Sequence, residues 1–287
     1  MSSSKGQRGP RDQRGLSGKV IWITGASSGI GEALVYNLAH QGAKLILSAR
    51  RKEEMERVKG NCPEYAQPDV RILPLDLSET STLLLMAQAA TQFFGHVDIL
   101  INNGGISQRS MAKDTILDVD RRLMEVDYFG TIALTKGLIP HFIQRKRGHF
   151  VVISSVMGMI GAPNRSGYAA AKHALHGFFD SLRAEMWKES KDIRVTIVCP
   201  GWISTNLALH ALTANGKELN DEDKRNSSGM TPESLAAKIV SAIKRKQEEV
   251  YFGGAKEMLS IYLKRFVPGI FSKIVRNVKI DRIASQK

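Results

Sequence analysis

The chain has 287 residues, 43% hydrophobic and 24% charged, which suits a single α/β domain and excludes a wholly disordered chain. Two cysteines, Cys62 and Cys199, exclude a disulfide framework and point to a reducing, intracellular compartment. The net charge of +13 gathers at the ends: residues 1–19 hold five cations and one anion and residues 238–287 twelve and four, against 24 and 23 between them, so a folded nucleic-acid reader is not expected.

Residues 1–18 read as a disordered basic tail, and no apolar core follows their charges to make a secretory signal. From Lys19 onward, short apolar runs alternate with helical patterns. Strands are expected at Val20–Thr24, Leu45–Ser48, Val70–Leu75, Val97–Ile101, Phe150–Ser154, Arg194–Cys199 and Val250–Phe252. Helices are expected at Gly29–Gln41, Lys52–Lys59, Thr80–Phe94, Thr115–Phe142 with a bend near Gly130, Tyr168–Glu189 and Pro232–Arg245. This alternation predicts an α/β fold, a doubly wound Rossmann-type parallel sheet spanning residues 19–252. The polar stretch Thr213–Gly229 is long for a connection and reads as a functional loop or lid. No apolar run reaches 18 residues, so no membrane-spanning helix is expected.

The first strand runs into Thr24-Gly-Ala-Ser-Ser-Gly-Ile-Gly31. Gly25, Gly29 and Gly31 permit a tight turn and close backbone approach. With Ser27, Ser28 and Ile30 they open a helix whose free N–H groups attract a pyrophosphate. The second strand ends in Ser48-Ala49-Arg50-Arg51, where an NAD-binding fold would carry an acidic side chain. Arg50 can instead grip a 2′-phosphate, with Arg51 adding field, so NADP(H) is the expected cofactor. Asp76 and Leu77 follow the third strand, and Asn103 and Gly104 follow the fourth; both segments suit cofactor contact.

Tyr168 and Lys172 stand four apart at the start of a helix, which puts them on one face. A phenol, with a pKa of about 10, is a poor acid or base at neutral pH, and a neighbouring ammonium favours its ionised form. Such a pair can move a proton to or from a carbonyl or alcohol oxygen. Ser155 ends the preceding strand and can hydrogen-bond the same oxygen.

With these motifs in this order, the chain resembles the short-chain dehydrogenase/reductase family over residues 19–252. The resemblance implies an oxidoreductase acting on alcohols and carbonyls, with a steroid, retinoid or xenobiotic carbonyl as lipophilic substrate. It makes Tyr168 the acid/base, lets Lys172 assist it and bind the nicotinamide ribose, and lets Ser155 orient the substrate. Pro200, Gly201, Ile203 and Thr205 match the segment that holds the nicotinamide carboxamide. One position departs from the pattern: the family's Asn-x-x-Gly segment reads Asp127-Tyr-Phe-Gly130 here. A carboxylate cannot donate as an amide does, and a buried negative charge near Lys172 would retune the Tyr–Lys pair. A second reading follows from Asp127: a catalytically impaired NADP-binding sensor or membrane-peripheral interaction protein.

Beyond Gly253, Ile270, Phe271, Ile274, Val275 and Val278 recur at helical spacing, with Lys273, Arg276, Lys279 and Arg282 between them. Pro268 separates this segment from an apolar stretch at Met258–Phe266. The extension 253–287 is a basic amphipathic element. Its apolar face suits a peripheral membrane contact, a wall of the substrate entrance, or packing on the body or another subunit. A homo-oligomer is expected, located in the cytoplasm or on an intracellular membrane such as the endoplasmic reticulum or peroxisome. The sequons at Asn164 and Asn226 are read as unused. The histidines show no metal-ligand spacing with the cysteines, and no metal is expected. Trp202, Met157 and Met159 flank the site and suit either pocket lining or packing.

Overall fold

The computed structural model describes residues 15–205, 207, 209–219 and 229–278. The expectations on residues 1–14 of the tail, 220–228 of the long loop with the Asn226 sequon, and Lys279 and Arg282 lie outside these residues.

In chain order the elements are β1 (Val20–Thr24), α1 (Gly29–His40), β2 (Lys44–Ser48), α2 (Lys52–Gly60), β3 (Val70–Ile72), α3 (Thr80–Gln92) and β4 (Ile99–Asn102). There follow α4 (Leu117–Leu123), a π-helical segment (Met124–Gly130), α5 (Thr131–Arg145), β5 (Gly148–Ile153), α6 (Ser166–Glu189) and β6 (Ile193–Pro200). The chain continues through α7 (Pro232–Lys244), β7 (Glu249–Phe252), α8 (Ala255–Phe266) and α9 (Pro268–Arg276). The seven strands form one sheet in the order β3-β2-β1-β4-β5-β6-β7, with every neighbouring pair parallel.

A parallel sheet buried on both faces needs apolar side chains at successive positions, and β1 supplies them. Ile21 and Ile23 enter a core with Leu34 and Leu38 of α1 and Ile239 of α7. Val20 and Trp22 point the other way, into a core with Leu83 of α3, Leu134 of α5 and Phe179 of α6. Sheet order reverses direction between β1 and β4. The C-terminal ends of these strands therefore diverge around a crevice, the usual ligand position in such sheets.

Several boundaries differ from the sequence reading. The fourth strand starts at Ile99 because the Val97 N–H goes to His141 Nε2 and its carbonyl to Arg145. The third ends at Ile72, although Leu73 and Leu75 still donate to the Leu47 and Ala49 carbonyls. The long helix 115–142 is broken into α4, the π-helical segment and α5. At Gly130 the backbone passes so close to Leu77 that a Cβ would lie 2.3 Å from the Leu77 carbonyl oxygen.

Candidate active site

The glycine-rich turn between β1 and α1 is held from two sides. Thr24 Oγ1 accepts from the Asn103 and Gly104 N–H groups, each at 3.0 Å. The Asn103 amide donates to the Thr24 carbonyl at 3.0 Å and the Gly25 carbonyl at 3.2 Å. Asn103 thus ties the loop after β4 to the glycine turn. From the other side Arg57 on α2 pairs with Glu32 at 2.8 Å and donates to the Ser27 carbonyl. Gly25 and Gly29 have φ of 63° and 57°, a region that favours glycine. A Cβ on Gly31 would lie 2.1 Å from the Gly25 carbonyl oxygen.

A groove of about 400 Å³ runs along these strand ends. Gly25, Ser27, Ser28, Gly29, Ile30, Arg50, Arg51, Asp76, Leu77, Asn103, Gly104 and Thr205 all line it. Its donor set fits a dinucleotide. The α1 N-terminus and bare glycine backbone face the crevice, and the exposed Arg50 and Arg51 stand at the β2 end.

A second cavity, of about 420 Å³, adjoins the groove, and Ile30, Asn103, Gly105, Ile106 and Thr205 line both. Ser155, Tyr168, Lys172, Pro200, Gly201 and Ile203 line it too. Ser155 follows β5; its Oγ accepts from the Met157 N–H at 3.1 Å and lies 3.5 Å from the Pro200 carbonyl oxygen. Tyr168 sits in the first turn of α6, mostly buried. One turn later the buried Lys172 Nζ lies 5.6 Å from the Tyr168 ring centroid and 3.4 Å from the Ile153 carbonyl oxygen. The end of β5, two residues before Ser155, thus also anchors the lysine.

Asp127 joins this constellation from the π-helical segment and is fully buried. Its Oδ1 accepts from the Ile106 N–H at 2.7 Å, and its Oδ2 faces Lys172 Nζ at 3.4 Å. Burial pushes the Asp127 carboxyl above its usual range, with Lys172 and the Ile106 N–H working against that push. Burial also disfavours the Lys172 ammonium, but Asp127 and Tyr168 outweigh it and hold the amine above its usual range.

The far wall of the cavity is built from segments remote in sequence. Met157 and Ile160 follow β5, Arg109 follows β4, and Ser260, Phe271, Ile274 and Val275 come from α8 and α9. Arg165 lies 5.8 Å from the Tyr168 ring centroid and 5.9 Å from that of Trp202. Phe271 packs with Val156 and Ile160, so the C-terminal extension walls the cavity. Sequence reasoning did not assign Arg57, Glu32, Arg109, Arg165 or Ser260. Arg165 immediately precedes α6, three residues before Tyr168, whereas Arg109 comes to the cavity from the segment after β4 and has no local signature.

Behind the site, His176 Nε2 lies 3.0 Å from Ser154 Oγ and 3.6 Å from Cys199 Sγ, while its Nδ1 lies 3.6 Å from Glu249. The ligand atoms of His176, Cys199 and Glu249 gather within 4.8 Å, a grouping that spacing along the chain did not reveal. Thiol and carboxylate contact different ring nitrogens, so the imidazole bridges the buried Cys199 to the partly exposed Glu249 in one polar network. Burial keeps His176 below its ordinary value and pushes the Cys199 thiol up.

Among the described residues, no helix is long and apolar enough to cross a membrane.

The short-chain dehydrogenase family pattern matches residues 19–215. A dehydrogenase/reductase SDR family protein 7-like from Anopheles gambiae is 42% identical, over 93% of this chain and 84% of its own. Family member 7 from Homo sapiens is 40% identical, over 91% and 78%, and member 7B from Mus musculus is 39% identical, over 92% and 82%. A short-chain dehydrogenase from Burkholderia cenocepacia, solved in complex with NADP, superposes with a TM-score of 0.74 at 21% identity, over 91% of this chain and 98% of that one. One from Burkholderia phymatum, solved with NAD, gives 0.77 at 20% identity, over 89% and 95%. The family match over residues 19–215 and the relatives 39–42% identical show that the chain belongs to the short-chain dehydrogenase/reductase family.

Proposed function

We propose that the protein is an NADP(H)-dependent oxidoreductase acting on a secondary alcohol or carbonyl of a lipophilic substrate, a steroid, retinoid or xenobiotic carbonyl. The observation that carries this reading is the position of Tyr168 and Lys172. They line the cavity where it adjoins the glycine-rich groove, with Ser155 on the same wall. When bound in the groove, the nicotinamide cofactor supplies or accepts hydride. Solved relatives of the fold described with NADP and with NAD support a nicotinamide cofactor. Arg50 supports the phosphorylated form, since a guanidinium grips a phosphate by two parallel hydrogen bonds.

The chain's own groups then divide the work. The glycine turn and the α1 N-terminus hold the pyrophosphate. Ser155 donates to the substrate oxygen and fixes its direction. Tyr168 gives that oxygen a proton during reduction and takes one during oxidation. Lys172 supplies positive charge that favours the phenolate when the proton leaves. The apolar wall of Met157, Ile160, Phe271 and Val275 excludes water and favours a lipophilic substrate.

A panel of hydrophobic ketones and aldehydes with NADPH tests this reading. Wild-type protein is expected to oxidise NADPH with at least one of them. Tyr168→Phe is expected to lose about a hundredfold or more in kcat, with cofactor binding retained. Wild type and variant equally inert, with NADPH still bound, would leave the sensor reading. That second reading is favoured by one observation, the pairing of Lys172 with Asp127.

A further inference from the structure

Helices α8 and α9 have two differently used sides. The inner side carries Phe271 and Val275, which pack toward Val156 and Ile160 at the cavity wall. The outer side carries Leu259, Tyr262 and Phe266 on α8 and Ile270 on α9, all exposed, while Ile274 and Val278 are exposed at the edge of the cavity that they line. Phe266 is 72% exposed, and its ring stacks on Tyr262 with centroids 6.3 Å apart and 14° between planes. Two stacked aromatic rings facing solvent, amid further exposed aliphatics, form a larger apolar patch than scattered surface residues do.

The charges that this segment carries are basic with one exception. Lys256, Lys264, Arg265, Lys273 and Arg276 are all exposed. Glu257 is the one acidic residue between 255 and 278, and it is turned toward the Gly253–Gly254 turn. Ile274 and Val278 belong both to the exposed patch and to the cavity lining, so the apolar surface runs continuously into the pocket.

We propose that this surface docks on an anionic lipid bilayer with the cavity mouth turned toward it. Exposed aromatic and aliphatic side chains bordered by Lys and Arg are the chemistry of an interfacial helix. The apolar groups enter the headgroup boundary while the cations meet anionic headgroups. The charge argues against a second copy as the occupant, because two copies face to face would oppose their cationic rims. A lipophilic substrate dissolved in the bilayer then reaches Tyr168 along apolar side chains. This feeding role rests on the oxidoreductase reading; the docking does not.

The test is cosedimentation of the full chain with vesicles of phosphatidylcholine alone and of phosphatidylcholine with phosphatidylserine. The comparison variant is Phe266→Ser/Ile270→Ser, since neither residue lines the cavity. Wild type is expected on the phosphatidylserine vesicles and not on the neutral ones, and to leave them at about 1 M salt. The double variant is expected to bind about tenfold or more weakly, with NADPH binding and melting temperature unchanged. Equal binding by both proteins, or no preference for phosphatidylserine, overturns the proposal. So does a wild-type dimer, dissolved by the double variant, that binds no vesicles. Vesicle binding by a protein inert toward every ketone supports the docking and overturns the oxidoreductase reading with its feeding role.

Discussion

Asp127 Oδ2 lies 3.4 Å from Lys172 Nζ, and neither side chain reaches solvent appreciably. The two residues are 45 positions apart, brought together where the π-helical segment packs against α6. Gly105 makes room for them: a Cβ there would lie 3.1 Å from Asp127 Oδ1 and 3.4 Å from Lys172 Nζ. Lys172 therefore serves Tyr168 with part of its charge compensated by a carboxylate.

Asp127→Asn removes that compensation and keeps the Ile106 N–H bonded to a side-chain oxygen. The site becomes more positive, which favours the phenolate needed to take a proton from an alcohol. The acid limb of kcat/KM for alcohol oxidation is expected to move down by about one pH unit. A pH–rate profile of wild type and variant measures this. A limb in the same place for both would remove Asp127 from the tuning of Tyr168.

Arg50 stands at the end of β2, beside the groove, with Ala49 where an acidic residue would select NAD. Arg50→Asp places repulsion against a 2′-phosphate and an acceptor for a 2′-hydroxyl. NADPH affinity is expected to fall by about tenfold or more, with NADH affinity unchanged or improved. Titration of both cofactors by fluorescence reads the ratio. Equal loss of both would show that Arg50 does not discriminate.

Gly130 closes the π-helical segment where it crosses Leu77, a groove residue. Gly130→Ala would drive a methyl into the Leu77 backbone. The expected cost is about 1–3 kcal/mol of stability, with weakened cofactor binding because Leu77 must shift. Urea unfolding and cofactor titration on the same variant check both effects. A variant as stable as wild type would mean that this crossing yields easily.

Asp98 starts the approach to β4 and is buried. It accepts from the Val20 N–H at 3.0 Å and pairs with Arg145 at 2.9 Å and His96 at 3.2 Å. Burial disfavours its charge, but the Val20 N–H, Arg145, Lys19 and His96 outweigh it and hold the carboxyl below its ordinary value. A lowered pKa in the folded state contributes stability that is complete above the unfolded value, about 4, and is lost as pH falls through the folded value. Asp98→Asn is expected to lose about 2 kcal/mol at pH 7, and the gap to wild type to narrow as acid is added below about pH 4. Denaturant melts across this range measure it; a constant gap would assign the loss to packing.

The sequence by itself determined what depends on neighbours along the chain. Unbroken apolar runs such as VIWIT specify strands buried on both faces. Glycines directly after the first strand specify the cradle, and the four-residue spacing of Tyr168 and Lys172 puts both on one turn of α6. The amphipathic character of the C-terminal extension was legible for the same reason, since a helix repeats its faces every few residues.

Only the tertiary structure decided what depends on which faces meet. Asn103 reads as a cofactor contact in the chain, and its amide is found tying the two crevice loops together. Arg57 gives no signal in a charged helix, yet it braces the glycine turn through Glu32 and the Ser27 carbonyl. Periodicity marks α9 as two-faced without saying what each face touches. The fold turns Phe271 onto Val156 and Ile160 and leaves Ile270 in solvent. Such pairings are set by packing between segments far apart in the chain, where burying apolar area decides the partner and local spacing carries no record of the choice.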